Sequence, residues 1–204
     1  MGFDKLLAPL AGKPVLQRSI EAFINCDDIT EIIVVAPKER FDALVLACSN
    51  KKITRIDGGA DRHDSVAAGL AQLAKNIEYV AVHDGARPLI TGEQIKQVLG
   101  SAIKHDAATS ARPITETLKR ADTKGYAVEA ICRDDLWLME TPQIFKAGLL
   151  IDAYSVVQQK GERVTDEVSA MELTGHRTYL VNNACPNPKI TYPQDIEQAE
   201  KLIF

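Results

Sequence analysis

The sequence lacks the features that would assign it to a membrane, a secreted or a nucleic-acid-binding class. No apolar run approaches the roughly 20 residues that cross a bilayer, and the N-terminus has no charged-then-apolar secretion signal. Its 24 basic residues are outnumbered by 28 acidic ones, and a net charge of -4 gives no basic surface for nucleic acid. We therefore expect a cytoplasmic protein with no membrane partner and no nucleic-acid partner.

Cysteine is scarce, and the usual covalent catalytic sets are missing. The four cysteines are scattered without a CxxC pair, which predicts free thiols in a reducing compartment. No Cys/His spacing suits tetrahedral zinc, and no Ser/His/Asp set or nucleophile elbow occurs. The chemistry that remains is substrate positioning and charge stabilisation.

What the sequence does contain is an alternation of apolar strand-like runs with helical patterns. Strands are predicted at residues 31–36, 53–56, 79–82, 107–111, 177–181 and 189–191. Helix starts are predicted at Pro14, at Asp64 or Ser65, at the capping box of Thr91 and Gln94, and at Pro193. The 204 residues fit one domain, 1–204, and this rhythm predicts a three-layer α/β/α fold around a mostly parallel sheet.

Residues 115–138 interrupt this rhythm because they show no helical period. The runs 117–121 and 126–131 flank Asp122-Thr123-Lys124-Gly125, which predicts a β-hairpin. A lone two-stranded ribbon is marginal in water. Packing on a second subunit and folding back on its own domain both remain open.

Two polar stretches follow predicted strands, where ligands bind in an open α/β sheet. They are 57–65 (DGGADRHDS) and 83–88 (HDGARP). Asp84 is well placed to bind Mg²⁺, although Asp is also common in turns. The planar fork of Arg87 suits a phosphate or a carboxylate, and a surface ion pair is the alternative.

The other candidate residues have plain structural alternatives. Gly58 and Gly59 permit close approach to a base or ribose, with Arg62 and Ser65 as polar contacts, but a simple strand-to-helix turn would look the same. Lys189 lies in an apparent short strand, where an inward lysine needs an anionic partner.

Four further features are better explained by structure than by chemistry. Lys5 and Arg133 fit a solvated face. Residues 165–167 (TDE) suit a helix first turn, where acidic side chains complement the helix dipole, and for His83 a structural hydrogen bond is favoured over proton transfer.

Taken in order, these segments resemble the 2-C-methyl-D-erythritol 4-phosphate cytidylyltransferase family. The resemblance runs essentially end to end and rests on residues 5–16, 57–65, 83–88, 116–120, 133–137, 141–143, 165–167 and 187–191. It implies a Rossmann-like nucleotidyltransferase fold and a homodimer joined by the β-hairpin arm, residues 115–138.

The resemblance also implies a reaction of non-mevalonate isoprenoid biosynthesis. CTP and methylerythritol phosphate would give a CDP-alcohol and pyrophosphate, with Mg²⁺, by in-line attack of the substrate phosphate on the α-phosphorus. The implied nucleotide-binding residues are Gly58, Gly59, Ala60, Arg62, Ser65, Asp84 and Gly85. The implied catalytic residues are Lys5, Lys189 and Asp84, with Asp84 also the metal ligand, and the implied substrate-binding residues are Arg87, Thr117, Arg133 and Thr141. Thr117 and Arg133 would act from the partner subunit.

The chain departs from the family at its start. Family members begin with a strand and a Gly-rich loop ending in an Arg-Met-Gly-like triplet, whereas this sequence starts at Met1-Gly2-Phe3. We expect that strand and loop to be lacking, and CTP therefore to bind weakly by calorimetry, because the backbone N–H groups of such loops hold phosphates. Two alternatives stay open: a ribitol-5-phosphate cytidylyltransferase, and an inactive dimeric nucleotide-binding relic.

Overall fold

A computed structural model describes residues 4–46 and 48–203. The predicted triplet remnant at Met1 and Gly2 lies outside these ranges. The strands are β1 (Pro9–Leu10), β2 (Lys13–Pro14), β3 (Glu31–Val35), β4 (Lys52–Ile56), β5 (Tyr79–Val82), β6 (Ala107–Pro113), β7 (Leu118–Ala121), β8 (Ala127–Ile131), β9 (Trp137–Lys146) and β10 (Tyr179–Asn182). The helices are α1 (Val15–Ile24), α2 (Lys38–Asp42), α3 (Arg62–Leu70), α4 (Gly92–His105), α5 (Ala147–Lys160), α6 (Glu167–Leu173) and α7 (Gln194–Glu200). Within the described ranges no helix has the length and apolar character needed to span a bilayer.

The main sheet has four strands in the order β10-β6-β9-β5, and β3 pairs with β4 separately. β10 runs parallel to β6 and β3 parallel to β4, but β9 is antiparallel to both β5 and β6. The predicted α/β class is confirmed, and the sheet is mixed where a mostly parallel one was expected. The reason is connectivity: β9 returns directly from the arm, whereas a parallel neighbour would need a crossover helix.

The three layers follow from side-chain alternation along β9. Phe145 packs on one face against Leu150 of α5 and Met171 of α6. Ile144, its neighbour in sequence, packs on the other face against Val98 of α4. Successive strand residues point to opposite faces, so β9 is covered on both sides and forms the centre of the core.

An apolar cavity of about 390 Å³ separates β3 from β5. Each of these strands is hydrogen-bonded along one edge within the described ranges, and the cavity is lined by both of them and by Leu16 and Phe23. Arg62 and Asp84 also line it. The cavity therefore adjoins the polar ends of these strands.

Some local predictions are confirmed and two are corrected. The Thr91–Gln94 capping box is confirmed, because each residue's side chain accepts from the backbone N–H of the other. The proposed cap at Asp64 or Ser65 is wrong by one turn. α3 begins after Asp61, and Asp64 lies at its third position, where its side chain accepts from the Asp61 backbone N–H at 3.0 Å.

The second correction concerns residues 189–191, which form no strand in the described structure. A backbone hydrogen bond of 2.8 Å from Ile190 N–H to the Ala86 carbonyl attaches this segment to the loop after β5. Ile190 is fully buried beside Leu10 and Val15. This anchoring fixes Lys189, the preceding residue, next to the Asp84 loop.

The predicted hairpin is confirmed as β7 and β8, an antiparallel pair with Leu118 opposite Ile131. Its turn is closed by Asp122, whose Oδ1 accepts from the backbone N–H groups of Lys124 and Tyr126. Gly125 has φ +87°, a conformation that glycine adopts without strain. The hairpin is a sheet of its own, outside the main sheet.

Candidate active site

The loop after β4 lies directly against the first turn of α3, and this packing explains its two glycines. A Cβ on Gly59 would lie 2.2 Å from Asp64 Cβ, and one on Gly58 would lie 2.6 Å from Ser65 Oγ. The Gly59 backbone N–H donates to Ser65 Oγ, which in turn donates to the Asp61 carbonyl, each at 3.2 Å. Packing therefore requires glycine at position 59, a side chain at position 58 would displace the Ser65 hydroxyl, and the loop, Ala60 included, is exposed.

Asp84, in the loop after β5, is the centre of a cluster of cations. Its Oδ1 accepts from Arg62 Nε at 3.2 Å and its Oδ2 accepts from Lys189 Nζ at 2.8 Å. Arg87 Nε lies 3.8 Å from the same Oδ2. Four predicted site residues from three distant parts of the chain thus meet at one carboxylate.

Arg87 does not form the surface ion pair that the sequence leaves open as an alternative. Its side chain is 12% exposed, and its guanidinium donates to the Asn187 carbonyl at 2.8 Å and to the Met139 carbonyl at 3.3 Å. These bonds leave Nε without a hydrogen-bond partner among the described residues. The fork of Arg87 is therefore fixed in place by backbone, with one donor directed towards the cleft.

The surrounding cations determine the charge of Asp84. Burial alone would raise the pKa of this carboxyl, but the hydrogen bond from Lys189 and the charges of Arg62, Lys189 and Arg87 outweigh it and lower the pKa to about 2. Asp84 is therefore ionised at neutral pH. A carboxylate of this kind is a ligand that Mg²⁺ accepts.

Arg62 is held from its other side by Glu167, the first residue of α6. The pair is bidentate: Arg62 Nη1 donates to Oε1 at 2.8 Å and Nη2 to Oε2 at 2.9 Å. Glu167 is fully buried, and Tyr154 Oη donates to its Oε1 at 3.0 Å. Burial would lower the pKa of Arg62, but the bonds from Glu167 raise it. Sequence reasoning assigned Glu167 to the helix dipole and missed this pair.

Thr141 and His83 form a hydrogen-bonded chain behind Asp84. The Asp84 backbone N–H donates to Thr141 Oγ1 at 3.1 Å, and Thr141 Oγ1 lies 3.0 Å from His83 Nδ1. His83 Nε2 lies 3.1 Å from the Arg87 carbonyl, which can only accept. The proton is therefore on Nε2, and Thr141 donates to Nδ1. Burial lowers the pKa of His83 to about 4, so the ring is neutral.

Three of the predicted site residues make no hydrogen bond or ion pair with this cluster among the described residues. Lys5 is half-buried and makes no hydrogen bond to a described residue. Thr117 is exposed at the base of the arm, and Arg133, also exposed, donates to the Thr115 carbonyl. Gly85 lies against α1, where an added Cβ would come within 2.7 Å of Leu16 Cδ1.

The carboxylate of Asp84 is suited to act as a ligand for Mg²⁺. Each of its oxygens accepts one hydrogen bond at normal distance and keeps a further lone pair. Mg²⁺ sites commonly combine one or two carboxylates with substrate phosphates. A second acidic group, Asp61 with His63 and Asp64, brings its ligand atoms within 4.8 Å of one another. The helix cap and the 3.0 Å ion pair of Asp61 with Arg163 explain this group.

Comparison with known proteins gives one consistent result. The family model described as 2-C-methyl-D-erythritol 4-phosphate cytidylyltransferase matches residues 1–204. A protein of that name from Ralstonia nicotianae is 38% identical over 98% of this chain and 84% of its own length. The chloroplastic protein of that name from Oryza sativa is 36% identical over 98% of this chain and 68% of its own.

Solved structures agree with these relatives. The 4-diphosphocytidyl-2C-methyl-D-erythritol synthase of Anaerococcus prevotii superposes with a TM-score of 0.87 at 27% identity, covering 96% of this chain and 91% of that one. The enzyme of Francisella tularensis gives a TM-score of 0.87 at 28% identity, covering 98% and 94%. This chain belongs to the 2-C-methyl-D-erythritol 4-phosphate cytidylyltransferase family.

Proposed function

We propose that this chain transfers CMP from CTP to 2-C-methyl-D-erythritol 4-phosphate, giving 4-diphosphocytidyl-2-C-methyl-D-erythritol and pyrophosphate. The observation that carries the proposal is the cluster of Arg62, Arg87 and Lys189 around Asp84, in a chain whose family match covers its full length. The relatives described above carry the methylerythritol name, which favours this substrate over ribitol 5-phosphate.

The chemistry follows from charge. An oxygen of the substrate phosphate bonds to the α-phosphorus of CTP while the bond from that phosphorus to the pyrophosphate oxygen breaks. Negative charge builds on the non-bridging oxygens and on the leaving group, and Lys5 and Lys189 are the cations that we assign to offset it, whereas Arg87 would hold the substrate. A phosphate monoester is largely ionised near neutral pH, so the attacking oxygen needs no base.

We assign Mg²⁺ to Asp84. The assignment is supported by the low pKa of this carboxyl and by the lone pairs that its two hydrogen bonds leave free. A bound magnesium ion would neutralise charge on the triphosphate oxygens.

We assign the exposed loop 57–60 to the nucleoside, because its glycines leave backbone open to a flat ligand. Gly58, Gly59 and Ala60 would contact cytosine and ribose, and Ser65 would keep the loop in place. Arg62 is bonded to two carboxylates, Asp84 through Nε and Glu167 through Nη1 and Nη2. A bound nucleotide would therefore contact Arg62 on the side that faces Asp84.

We further propose a homodimer joined by the arm, residues 115–138. The arm exposes four apolar side chains, which supports a partner surface: Tyr126 is 70% exposed, Val128 59%, Leu136 38% and Leu138 38%. In such a dimer Thr117 and Arg133 would reach the methylerythritol phosphate bound by the other subunit. This would account for cationic side chains on an otherwise isolated hairpin.

We also propose a cytoplasmic location. All four cysteines are free, and Cys48, Cys132 and Cys185 are exposed. Exposed thiols that remain unpaired suit a reducing compartment.

Pyrophosphate release is the test. The purified chain is incubated with Mg²⁺ and CTP, together with either methylerythritol phosphate or ribitol 5-phosphate, and ATP replaces CTP in a parallel reaction. We expect release with CTP and methylerythritol phosphate at least tenfold faster than with either replacement. Faster release with ribitol phosphate would support the alternative enzyme. If CTP raised the melting temperature without any release, the chain would be a nucleotide-binding relic.

A further inference from the structure

Glu167 is a fully buried carboxylate that the reaction described above does not use. It opens α6, but the N-terminal cap of that helix is Asp166, whose side chain accepts from the Ser169 backbone N–H at 3.0 Å. A cap therefore does not explain Glu167. Its carboxylate is directed to Arg62, 105 residues earlier in the chain, and forms two charged hydrogen bonds with it.

We infer that Glu167 is a positioning residue, which fixes the guanidinium of Arg62 so that its Nε–H remains on Asp84. A guanidinium presents its donors in one rigid plane. Once Nη1 and Nη2 are both bonded to Glu167, the direction of the Nε–H bond is determined, and that bond meets Asp84 Oδ1 at 3.2 Å. This inference rests on the proposed function, in which Asp84 holds the metal and the nucleotide.

Glu167 also sets the charge that Asp84 experiences. Arg62, Arg87 and Lys189 all face Asp84, and Arg62 is also paired with Glu167. If Glu167 were neutral, the full charge of Arg62 would be directed at Asp84. Three cations would then compete with Mg²⁺ for one carboxylate, and the guanidinium would be free to rotate about its stem.

Two elements, α5 and β9, hold Glu167 in turn. Tyr154, on α5, donates to Oε1 at 3.0 Å, and burial together with the Glu167 carboxylate raises the pKa of this phenol. Gln143, on β9, accepts the Glu167 backbone N–H at 3.1 Å and donates to Asp166 at 3.1 Å. Gln143 lies opposite Val82 in the sheet, the last residue of β5 before the Asp84 loop. The backbone of Glu167 is therefore attached to β9, which pairs with β5, the strand that leads to Asp84.

The first test observes Arg62 in the substrate-free protein. A bidentate ion pair slows rotation of the guanidinium, so its Nη hydrogens should give separate signals in ¹⁵N-edited NMR spectra, assigned with Arg62→Lys. We expect these signals to merge in Glu167→Gln and to persist in Glu21→Gln. Glu21, on α1, is the control, because it too is a carboxylate paired with a cation, Lys13, at 2.6 Å, but it is only partly buried and lies away from Arg62.

The second test uses turnover and a double-mutant cycle. Glu167→Gln should lower kcat/KM for CTP by about 10- to 100-fold, the scale of an ångström-sized misplacement, and raise the Mg²⁺ concentration for half-maximal rate. In an Arg62→Gln background, Glu167→Gln should add no further loss, because its effect passes through Arg62. Tyr154→Phe, which removes one bond to the carboxylate, should give a smaller loss.

The outcomes separate this inference from the proposed function. Merged Arg62 signals in the wild type, full kcat/KM in Glu167→Gln, or losses that add in the double variant would each overturn it. If the wild type released no pyrophosphate, the proposed function would fail, but the NMR comparison would still decide how Arg62 is held. If Glu167→Gln did not fold, Tyr154→Phe would carry the same comparison, and unchanged signals and kinetics there would overturn the inference.

Discussion

The cleft around Asp84 and the arm carry the same kinds of side chains in opposite settings. In the cleft, Arg62 is bonded to two carboxylates and Asp84 lies beside three cations. On the arm, Arg120 pairs with Glu129 at 2.7 Å, but both side chains are more than half exposed. The side chains of the cleft hold one another within one chain, whereas the polar and apolar side chains of the arm are exposed.

This difference shows what each region can do alone. A charge that several neighbours hold is oriented before substrate arrives, so its contribution to catalysis does not wait for reorganisation. A charge on an exposed ribbon has no such constraint until a second surface orders it. We therefore expect changes in the cleft to act within a subunit and changes in the arm to act across subunits.

Asp84→Asn should have the largest effect, because it removes the carboxylate and leaves Arg62, Arg87 and Lys189 facing a neutral amide. We expect kcat/KM to fall by about 1,000-fold, the scale at which one preorganised charge contributes to a transition state. Pyrophosphate release at saturating Mg²⁺ measures it. Asp27→Asn is the control, since Asp27 is 96% exposed and lies 4.0 Å from Lys96. A tenfold loss or less in Asp84→Asn would remove this residue from the catalytic set.

His83 should make the cleft, and not the arm, sensitive to acid. Burial lowers its pKa to about 4 from an ordinary value near 6.5, so between these values the unfolded chain binds more protons than the folded one. The free energy of unfolding should therefore fall as pH drops through this window, by at most about 3 kcal/mol. Asp84 titrates lower, with a pKa of about 2. The arm, residues 115–138, has no histidine.

Urea unfolding between pH 7 and pH 4.5 checks this expectation. His83→Gln should flatten the pH dependence, because the group that takes up the proton is gone. His105→Gln, which removes an exposed histidine, is the control substitution. Equal slopes in the wild type and His83→Gln would contradict the assignment.

Arg133→Ala should act across subunits. We expect kcat/KM to fall by about 10- to 100-fold, the value of a charged hydrogen bond of roughly 1.5–3 kcal/mol. Mixing it with Asp84→Asn should restore activity, since a mixed dimer has one site with both residues intact. Random exchange would make about a quarter of all sites complete. A mixture no more active than its components would assign Arg133 to its own subunit or to no site.

The features that sequence could predict are those fixed by residues close together in the chain, and the features that it could not predict depend on contacts between distant residues. The hairpin turn at Asp122 to Gly125 and the Thr91–Gln94 cap were predicted correctly, because a few adjacent residues fix both. The expected strand at Lys189 was wrong. What holds that segment is the hydrogen bond of Ile190 to Ala86 and the burial of Ile190, neither of which leaves a period in the sequence.

The site shows the same division. Asp84 and Arg87 were found because they follow a strand in a recognisable segment, and the structure brings both to the cleft. Glu167 was interpreted as a first-turn acid, which is its local role. Its bidentate pair with Arg62 depends on how α6 packs against α3 and α5, and a single sequence carries no signal for contacts over 105 residues. The strand directions of the sheet likewise depended on where the arm returns.

The smallest expected effect belongs to Glu129→Gln on the arm, and it sharpens the comparison with Glu167. The exposed pair with Arg120 should change the free energy of unfolding by less than about 0.5 kcal/mol, because solvent and salt screen it. Glu167→Gln should cost several times more, since it leaves a guanidinium without its buried counter-charge. Urea titrations of both variants, at low and high salt, measure the contrast. Equal losses would mean that a second subunit buries Glu129 as deeply as the fold buries Glu167, and the arm would then be a preformed part of the site.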